Sequence, residues 1–520
     1  MKISAEKRVR SMAGDDGGKV FDESYIDNVL RPLFAGYQGH FSSQLLRINF
    51  AHAVMLAEQE IITAEDAGQI VTGLIEVRDE LEAEDIEYSG EFEDYFFLVE
   101  KKLAGKIGAE TAGKLHTARS RNDINITMFR MNLKQKLLSL LEDLHALIAT
   151  LVSRAEEESD TIFIAFTHGQ PAQPITYGHY LSAAVEFLLR DADRLFAAYE
   201  TIDSSPMGAA AIGTTGFDID RERMAELLGF AAVQNNSYGC IADSDYLLEL
   251  YSSARILFQN LGRFIENLDR FTAFETDILE VPGRFVQISS IMPNKRNPVP
   301  VEHLRSLAAI TAGRCETAIA ATQNTPYGDI NDNEENLQLE GYRMFDSAGR
   351  VLDLLREFMA AVKVNEESVK KLISSSRAAM TELADSLVRK EDLSFRRAHE
   401  LTSELVEELS DGRDVMAGRK RSLNALCPDL IYDIFSMLFQ EKLGRDTGLG
   451  REEFAEILSA EHFVHVRDVR GGTSPEAVNE ACAEYRVELE DFAGRLEKLR
   501  RSGEEAADRL QERVEYYSRN

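Results

Sequence analysis

The 520-residue sequence is poor in cysteine, and its four cysteines lie far apart, at Cys240, Cys315, Cys427 and Cys482. None of their spacings is that of a metal-binding pair, so we interpret them as buried or incidental thiols. The sequence also lacks an apolar run of about eighteen residues, the length that a transmembrane helix needs. Residues 1–6 lack the apolar stretch of a signal peptide. We therefore expect a cytoplasmic protein that does not bind membranes.

Positive charge is scarce as well. The chain has 58 Lys and Arg against 89 Asp and Glu, for a net charge of −31. No basic stripe offsets this excess, which argues against nucleic acid as a partner. An anionic small-molecule substrate would have to be attracted by local cations, because the overall field repels it. Since 44% of the residues are hydrophobic, the chain can bury a large core, and its length allows two or three domains.

Strand signals are few, and helical periodicity dominates the middle of the chain. Apolar residues recur at three- and four-residue steps, which predicts long helices. We place them at about 127–158, 177–201, 244–275, 301–322 and 335–361. The sequence therefore predicts an all-α fold with a central bundle of long helices. The apolar stripes are wide, so we expect a subunit interface along the bundle.

Shorter helices are expected on both sides of this bundle. We divide the chain into an N-terminal helical domain at 1–121, the central bundle at 122–364 and a C-terminal helical domain at 365–520. The last 45 residues carry Glu and Arg at helical spacing, which is typical of a solvated terminal helix. Gly208, Gly213 and Gly216 do not follow a strand, so they are not a dinucleotide fingerprint. We expect them to shape a loop near the site.

The segment from Ser289 to Glu302 has the strongest chemical content. It contains two hydroxyls, at Ser289 and Ser290, followed by Lys295, Asn297 and the carboxylate of Glu302. Pro and Gly in the preceding residues indicate a loop, and the following residues begin a helix. A Lys and an Asn near a helix N-terminus are suited to holding a carboxylate. The alternative is that these residues only form turns.

Two further segments stand in order before it. Residues 116–123 read His-Thr-Ala-Arg-Ser-Arg-Asn-Asp, and residues 167–174 read Thr-His-Gly-Gln-Pro-Ala-Gln-Pro. Together the three segments resemble the signature of the fumarase/aspartase superfamily, and residues 116–123 resemble its argininosuccinate lyase branch. The resemblance implies a three-domain lyase subunit whose long helices form a homotetrameric core. It also implies elimination of fumarate without a metal or organic cofactor.

The resemblance assigns four catalytic residues. Ser289 matches the serine base, and Lys295 would stabilise its alkoxide or the carbanion intermediate. His168 matches a histidine that pairs with the residue matching Glu302, which would keep the imidazole fit to donate or relay a proton. From the residues alone, His168 reads more simply as a satisfied core histidine. The Gly-Gln-Pro turn after it instead favours an exposed position at a helix end.

Other matched positions would bind the substrate. We expect the two carboxylates and the amine part to be held by Arg119, Ser120, Asn122, Thr167, Gln173, Ser290, Asn297 and Tyr327. Arg offers a bidentate fork, and amides and hydroxyls add directional donors. Arg121 is interpreted either as a site residue or as a structural ion-pair partner. In the family the three segments come from three subunits of the tetramer, so we expect active sites that are shared between subunits and an inactive monomer.

The sequence departs from the argininosuccinate lyase pattern where the amine part should bind. Asn331 and Glu334 stand where that pattern has Gln and Lys, and Gly239 and Ser244 stand where it has Asp and Arg. The best-matched function is cleavage of argininosuccinate to arginine and fumarate. The alternatives are a related lyase acting on another N-substituted aspartate, such as ethylenediamine disuccinate, and an inactive structural homologue like the lens crystallins.

Overall fold

The computed structural model describes residues 21–83, 86–90, 92–331, 335–410 and 428–519, and it is 72% helical with few strands. The all-α prediction is confirmed. The five long helices fall within a few residues of their predicted bounds, except that the first begins six residues earlier. We name them with the other helices in chain order: α7 is Arg121–Glu157, α8 Tyr177–Ile202, α11 Asp245–Thr272, α12 Val299–Ala321 and α13 Glu335–Ala361.

The long helices run alternately up and down and pack side by side. Helix α7 packs on α8 and α13, and α12 packs on α11 and α13. The guanidinium of Arg130, near the start of α7, donates to the carbonyls of Thr201 and Ser204 at the end of α8. The guanidinium of Arg154, near the end of α7, donates to the carbonyl of Val362, just after α13. We call the end where α7 begins the proximal end, and the end where α7 finishes the distal end.

The two ends are far apart. Helix α7 has 37 residues, and at about 1.5 Å per residue it is roughly 55 Å long. Close approach between helices requires glycine at two points. A Cβ at Gly341 in α13 would lie 1.8 Å from the Tyr251 hydroxyl of α11, and one at Gly178 in α8 would lie 2.3 Å from the Ala155 carbonyl of α7.

Shorter helices precede the bundle. A π-helical turn at Ile26–Leu30 follows α1. The set is α1 Glu23–Tyr25, α2 Arg31–His40, α3 Ser42–Glu58, α4 Ala64–Ala83, α5 Tyr95–Ile107 and α6 Ala109–Lys114, and two more lie between α8 and α11, α9 Arg221–Leu228 and α10 Ser237–Ala242. Helix α3 is buried along most of its length.

The last part of the chain is also helical. Its helices are α14 Glu366–Ser376, α15 Met380–Glu391, α16 Phe395–Ser410, α17 Pro428–Leu443, α18 Arg451–Ile457, α19 Ala460–His465 and α20 Pro475–Arg519. Helices α15 to α18 enclose a small hydrophobic core of their own, with Leu387, Leu405 and Phe435 fully buried. Helix α20 returns along α7 and buries Phe492 and Leu510. The predicted terminal helix is therefore correct, but only one face of it is solvated.

Strands are short and pair in twos. The longest pair is an antiparallel hairpin of β1 Ile162–Thr167 and β2 Gln170–Thr176, at the distal end. The remaining strands are two-residue pairs: β3 Ser204–Ser205 with β4 Ala232–Val233, β5 Leu279–Glu280 with β8 Lys363–Val364, and β6 Gln287–Ile288 with β7 Arg296–Asn297. Within the described ranges, no helix is both long and apolar enough to cross a membrane.

Candidate active site

The segment 116–123 lies at the proximal end, where it turns into α7. Ser120 is the N-cap of that helix, and its backbone N–H donates to the Asp123 carboxylate at 2.9 Å. Its hydroxyl lies 3.3 Å from Oδ1 of Asn122, and the Asn122 amide donates to the carbonyl of Ala211 at 2.9 Å. Ser120 and Asn122 are both half-buried. The cap thus fixes two of the expected carboxylate ligands at a helix N-terminus, where the helix dipole favours an anion.

Arg119 is enclosed by the protein. Its side chain is only 6% exposed, and Nη1 donates to Oδ1 of Asn49 at 2.6 Å. Burial lowers the pKa of Arg119 to about 10, so the guanidinium stays charged at neutral pH. Its Nε has no hydrogen-bond partner among the described residues. A buried cation with a free donor is suited to an anionic ligand.

Two histidines support the turn that carries Arg119. His52 is fully buried in α3, and its Nε2 lies 2.9 Å from the carbonyl of Thr117. Burial, followed by the charge of Arg119, lowers the pKa of His52 to about 3. Burial and the charges of Arg119 and Arg121 lower the pKa of His116 to about 4. Both rings are therefore neutral at physiological pH and add no positive charge to this end of the bundle.

Asp123 ties the helix start to a glycine-containing loop. Its Oδ2 accepts hydrogen bonds from the N–H groups of Gly208 at 3.0 Å and Ala210 at 2.9 Å. Gly208 has a φ of +89°, and a Cβ there would lie 2.8 Å from the Arg221 side chain. Burial raises the pKa of Asp123 to about 6 despite these bonds. Gly208, one of the glycines expected to shape a loop near the site, therefore lies in a loop that is hydrogen-bonded to the start of α7.

A cavity of about 210 Å³ opens next to this segment. Its polar lining includes Glu93, Asp94, Arg121, Asn122, Asp329 and Asn331. Arg121 is already engaged, because its Nη1 lies 2.6 Å from Asp94 and 3.3 Å from Glu93. Of the two interpretations of Arg121, the structure favours the ion pair. The cavity therefore has an excess of carboxylates over free cations and suits a positively charged group.

The segment 167–174 lies at the distal end and forms the β1–β2 hairpin. Its two-residue turn is His168 and Gly169, with φ of +53° and +75°, as the type I′ hairpin turn requires. The prediction that His168 sits at a helix end is therefore wrong, although its exposure is confirmed. Thr167, His168 and Gln173 are all exposed to solvent.

The hairpin rests on the end of α11. The ring of Phe271 packs against Phe163 at 5.4 Å and Phe166 at 5.8 Å, both in β1. The loop that follows α11 carries the third segment, Ser289 to Glu302. Because α11 ends at the hairpin, this loop begins at the distal end. Phe285, within that loop, packs on Phe358 near the end of α13 at 5.7 Å.

Ser289 is held in a tight turn of this loop. Its Oγ accepts hydrogen bonds from the N–H groups of Met292 at 3.0 Å and Ile291 at 3.4 Å. Ser289 is half-buried, whereas the neighbouring Ile288 and Ile291 are 82% and 83% exposed. Two backbone donors aimed at one serine oxygen stabilise negative charge on it. Such a turn would stabilise an alkoxide at Ser289.

The other expected residues of this segment lie around the turn. Ser290, Lys295 and Glu302 are exposed, and Asn297 donates to the carbonyl of Gln287 at 3.1 Å across β6 and β7. Glu302 is in the first turn of α12. Across the described residues, no hydrogen bond or ion pair joins His168 to Glu302, so the pairing expected of them stays a prediction.

One chain therefore does not bring the three segments together. The segments with Thr167, His168 and Ser289 lie at the distal end, and Arg119 with Asn122 lies at the proximal end. The roughly 55 Å of α7 separates the two groups.

Tyr327 lies at the proximal end, on the loop between α12 and α13. It is 65% exposed, and its hydroxyl donates to Oδ1 of Asp243 at 2.6 Å. This bond raises the pKa of Tyr327. Of the positions that depart from the family pattern, Gly239, Ser244 and Asn331 are described, whereas Glu334 lies outside the described residues.

The sequence reasoning missed several residues that shape the site. They are Asn49, His52, Asp94, Asp123 and Asp243. Asp123 had a signal, because a Ser followed by an acidic residue three positions later is a helix-capping pattern. The others lie far along the chain from their partners, so no local pattern marks them.

Family models match most of the chain. A model described as "Lyase" matches residues 37–313, and one described as "Argininosuccinate lyase C-terminal" matches residues 377–465. The chain is 47% identical over 492 residues to argininosuccinate lyase 2 of Agrobacterium fabrum, with 95% of each chain covered. It is 36% identical over 445 residues to argininosuccinate lyase of Hahella chejuensis, covering 85% of this chain and 90% of the relative.

Among solved structures, the chain is similar to EDDS lyase in complex with formate. The two are 27% identical with a TM-score of 0.82, covering 94% of this chain and 96% of that one.

Proposed function

Because this chain belongs to the argininosuccinate lyase family, we propose that it is a carbon–nitrogen lyase that cleaves argininosuccinate to arginine and fumarate. The observation that carries the proposal is 47% identity to an argininosuccinate lyase along 95% of both chains. The geometry at Ser289 supports the chemistry. In the elimination, a base takes a proton from the carbon next to a carboxylate. The C–H electrons form the double bond of fumarate, and the C–N bond breaks as its nitrogen gains a proton.

Ser289 is the base in this proposal. A serine hydroxyl is a weak base and needs its alkoxide stabilised. The N–H groups of Ile291 and Met292, which already donate to its Oγ, supply that stabilisation. Lys295, six residues later, adds positive charge when the loop closes on substrate. His168, at the tip of the hairpin, protonates or relays a proton to the leaving nitrogen, with Glu302 as its partner.

The fumarate part is held at the proximal end. Arg119 supplies a buried positive charge, and Ser120 and Asn122 supply donors at the start of α7. Thr167, Gln173, Ser290 and Asn297 approach from the distal ends of other copies. The active site is then shared between subunits of a homotetramer, and the separation of the two ends is what supports this arrangement.

The amine part fits the cavity beside Asn122. The carboxylates that line this cavity suit the guanidinium of argininosuccinate, and they belong to Glu93, Asp94 and Asp329. Tyr327 lies at the same end and contacts the amine part.

A second candidate is a lyase of the same family that acts on another N-substituted aspartate, such as ethylenediamine disuccinate. The observation that favours it is in the same cavity. Its lining includes a single arginine, Arg121, which is already paired with Asp94 and Glu93. No lining cation of the described residues is left for the α-carboxylate of arginine. An amine that carries no carboxylate beside its nitrogen would need no such cation. The amine released from ethylenediamine disuccinate does carry carboxylates, so that particular substrate is supported by the similarity to EDDS lyase and not by this cavity.

The test is direct. Purified protein is supplied with argininosuccinate, fumarate is followed by its ultraviolet absorbance, and arginine is measured separately. We expect fumarate and arginine in equal amounts. Efficient release of fumarate from ethylenediamine disuccinate, with little from argininosuccinate, would replace the first candidate by the second. Release from neither would reject a lyase activity and leave the inactive structural homologue.

A further inference from the structure

Both the hydroxyl and the backbone carbonyl of Tyr327 are hydrogen-bonded, although most of its side chain is exposed. Its hydroxyl donates to Oδ1 of Asp243 at 2.6 Å, and its carbonyl accepts from the Tyr238 hydroxyl at 2.9 Å. The two tyrosine rings lie 5.6 Å apart at an angle of 33°. An exposed tyrosine that only covered the surface would not need three such contacts. They fix the direction in which its ring and the following residues point.

Asp243 is itself anchored in the bundle. Its Oδ2 accepts from Nε2 of Gln234 at 2.8 Å, and Oε1 of Gln234 accepts from the guanidinium of Arg130 at 3.1 Å. Arg130 is 2% exposed and also binds the carbonyls of Thr201 and Ser204. A continuous series of hydrogen bonds therefore runs from the buried start of α7 to the Tyr327 hydroxyl.

Gly239 makes room for this arrangement. A Cβ at that position would lie 2.7 Å from Oδ2 of Asp243 and 3.3 Å from Nε2 of Gln234. A side chain there would push the Asp243 carboxylate away from Gln234, and with it the Tyr327 hydroxyl. Gly239 is one of the positions where this sequence departs from the family pattern. The departure and the Asp243–Tyr327 bond thus belong to one structural unit.

The segment fixed in this way ends at the amine cavity. Asp329 and Asn331, two and four residues after Tyr327, line the cavity together with Asn122. We propose that Asp243 is a positioning residue that holds Tyr327 and residues 327–331 in place, and so sets which amine the enzyme releases. This inference rests on the proposed function, since it concerns the leaving group of the same reaction.

The first test is Asp243→Ala, with Asp218→Ala, an exposed acid of the preceding loop, as the matched control. kcat and KM are measured with argininosuccinate and with ethylenediamine disuccinate. Loss of a hydrogen bond to a charged group should change the ratio of the two kcat/KM values by about 10- to 100-fold. Most of this should appear in KM, because the bond acts on binding rather than on the proton transfer. The control should leave the ratio unchanged.

Two further variants separate positioning from a merely structural role. Gly239→Ala should change the substrate ratio in the same direction as Asp243→Ala. The effects of Asp243→Ala and Tyr327→Phe should be less than additive, because both act through one bond. Full additivity, or lower thermal stability with an unchanged substrate ratio, would overturn the inference.

Calorimetric titration with arginine alone keeps the outcomes distinguishable. Wild-type protein that releases fumarate from no N-substituted aspartate would reject the proposed function. Arginine binding weakened by Asp243→Ala but not by Asp218→Ala would then still support the positioning role, and equal binding by both variants would overturn it.

Discussion

At the scale of single residues, the proposed chemistry depends on how a weak base is activated. Ser289 is an ordinary hydroxyl, and what distinguishes it is the pair of N–H donors from Ile291 and Met292. Ser290, its neighbour, is exposed. The two serines of the segment are therefore not equivalent, although the sequence alone does not separate them.

This difference predicts that alanine substitution of each serine changes a different kinetic constant. Ser289→Ala should lower kcat by about 10²- to 10⁴-fold while substrate binding survives, because it removes a group used in the transition state. Ser290→Ala should mainly raise KM, since that hydroxyl is expected to hold a carboxylate. Steady-state kinetics of both variants measure this. Unchanged kcat in Ser289→Ala would remove Ser289 from the role of base.

His52 gives a second prediction at this scale. Its folded pKa of about 3 lies below the ordinary value of 6.5, so below pH 6.5 the unfolded chain takes up a proton that the folded chain does not. The stability that neutral His52 contributes is complete above pH 6.5 and is lost as pH falls towards 3. The loss is about 1.4 kcal/mol per pH unit.

The measurement is urea unfolding of wild type and His52→Gln at one protein concentration. The difference in free energy of unfolding between the two should shrink by about 1–2 kcal/mol between about pH 7 and pH 5, because glutamine does not titrate. If the difference in free energy of unfolding does not depend on pH, the pKa of His52 in the folded protein is close to its ordinary value, which would contradict the prediction.

At the scale of elements, the long helices were predictable and the hairpin was not. Apolar residues recur with a sustained 3.6-residue period in the long helices, α7, α8, α11, α12 and α13. This is a local signal that can be read without knowing the packing partners. The hairpin strand β2 contains Pro171 and Pro174, and proline argues against a strand. Its turn is His-Gly rather than the more usual Asn-Gly. Its pairing is fixed by packing on Phe271, which no local pattern reveals.

Close helix packing gives a prediction for one glycine. Gly341→Ala should destabilise the protein by about 1–3 kcal/mol, because the added Cβ meets the buried Tyr251 hydroxyl at 1.8 Å. Gly494→Ala in α20 is the matched control, since nothing lies within 4 Å of a Cβ there. Helix propensity alone should make that variant more stable by up to about 1 kcal/mol. Equal thermal shifts in both variants would contradict the packing of α13 on α11.

At the scale of the whole molecule, the sequence motifs mark candidate site residues but do not show where the fold places them. Local motifs that can be read in order along the chain contain Arg119, Asn122, His168 and Ser289. Their positions at opposite ends of a bundle depend on the direction of each long helix. Residues such as Asp243 and Gln234 act through partners up to about a hundred positions away, so sequence spacing carries no information about them.

The proposal that each active site is shared between subunits is tested most directly by complementation between two inactive variants. Asn122→Ala damages the proximal end, and Ser289→Ala damages the distal end. The two are co-expressed with different affinity tags, and particles carrying both tags are assayed for fumarate release from argininosuccinate. If each site takes its ends from different copies, random assembly restores about a quarter of the sites to wild type. Activity near that level is the predicted result. Mixed particles of the same size that remain as inactive as either variant alone would contradict the account.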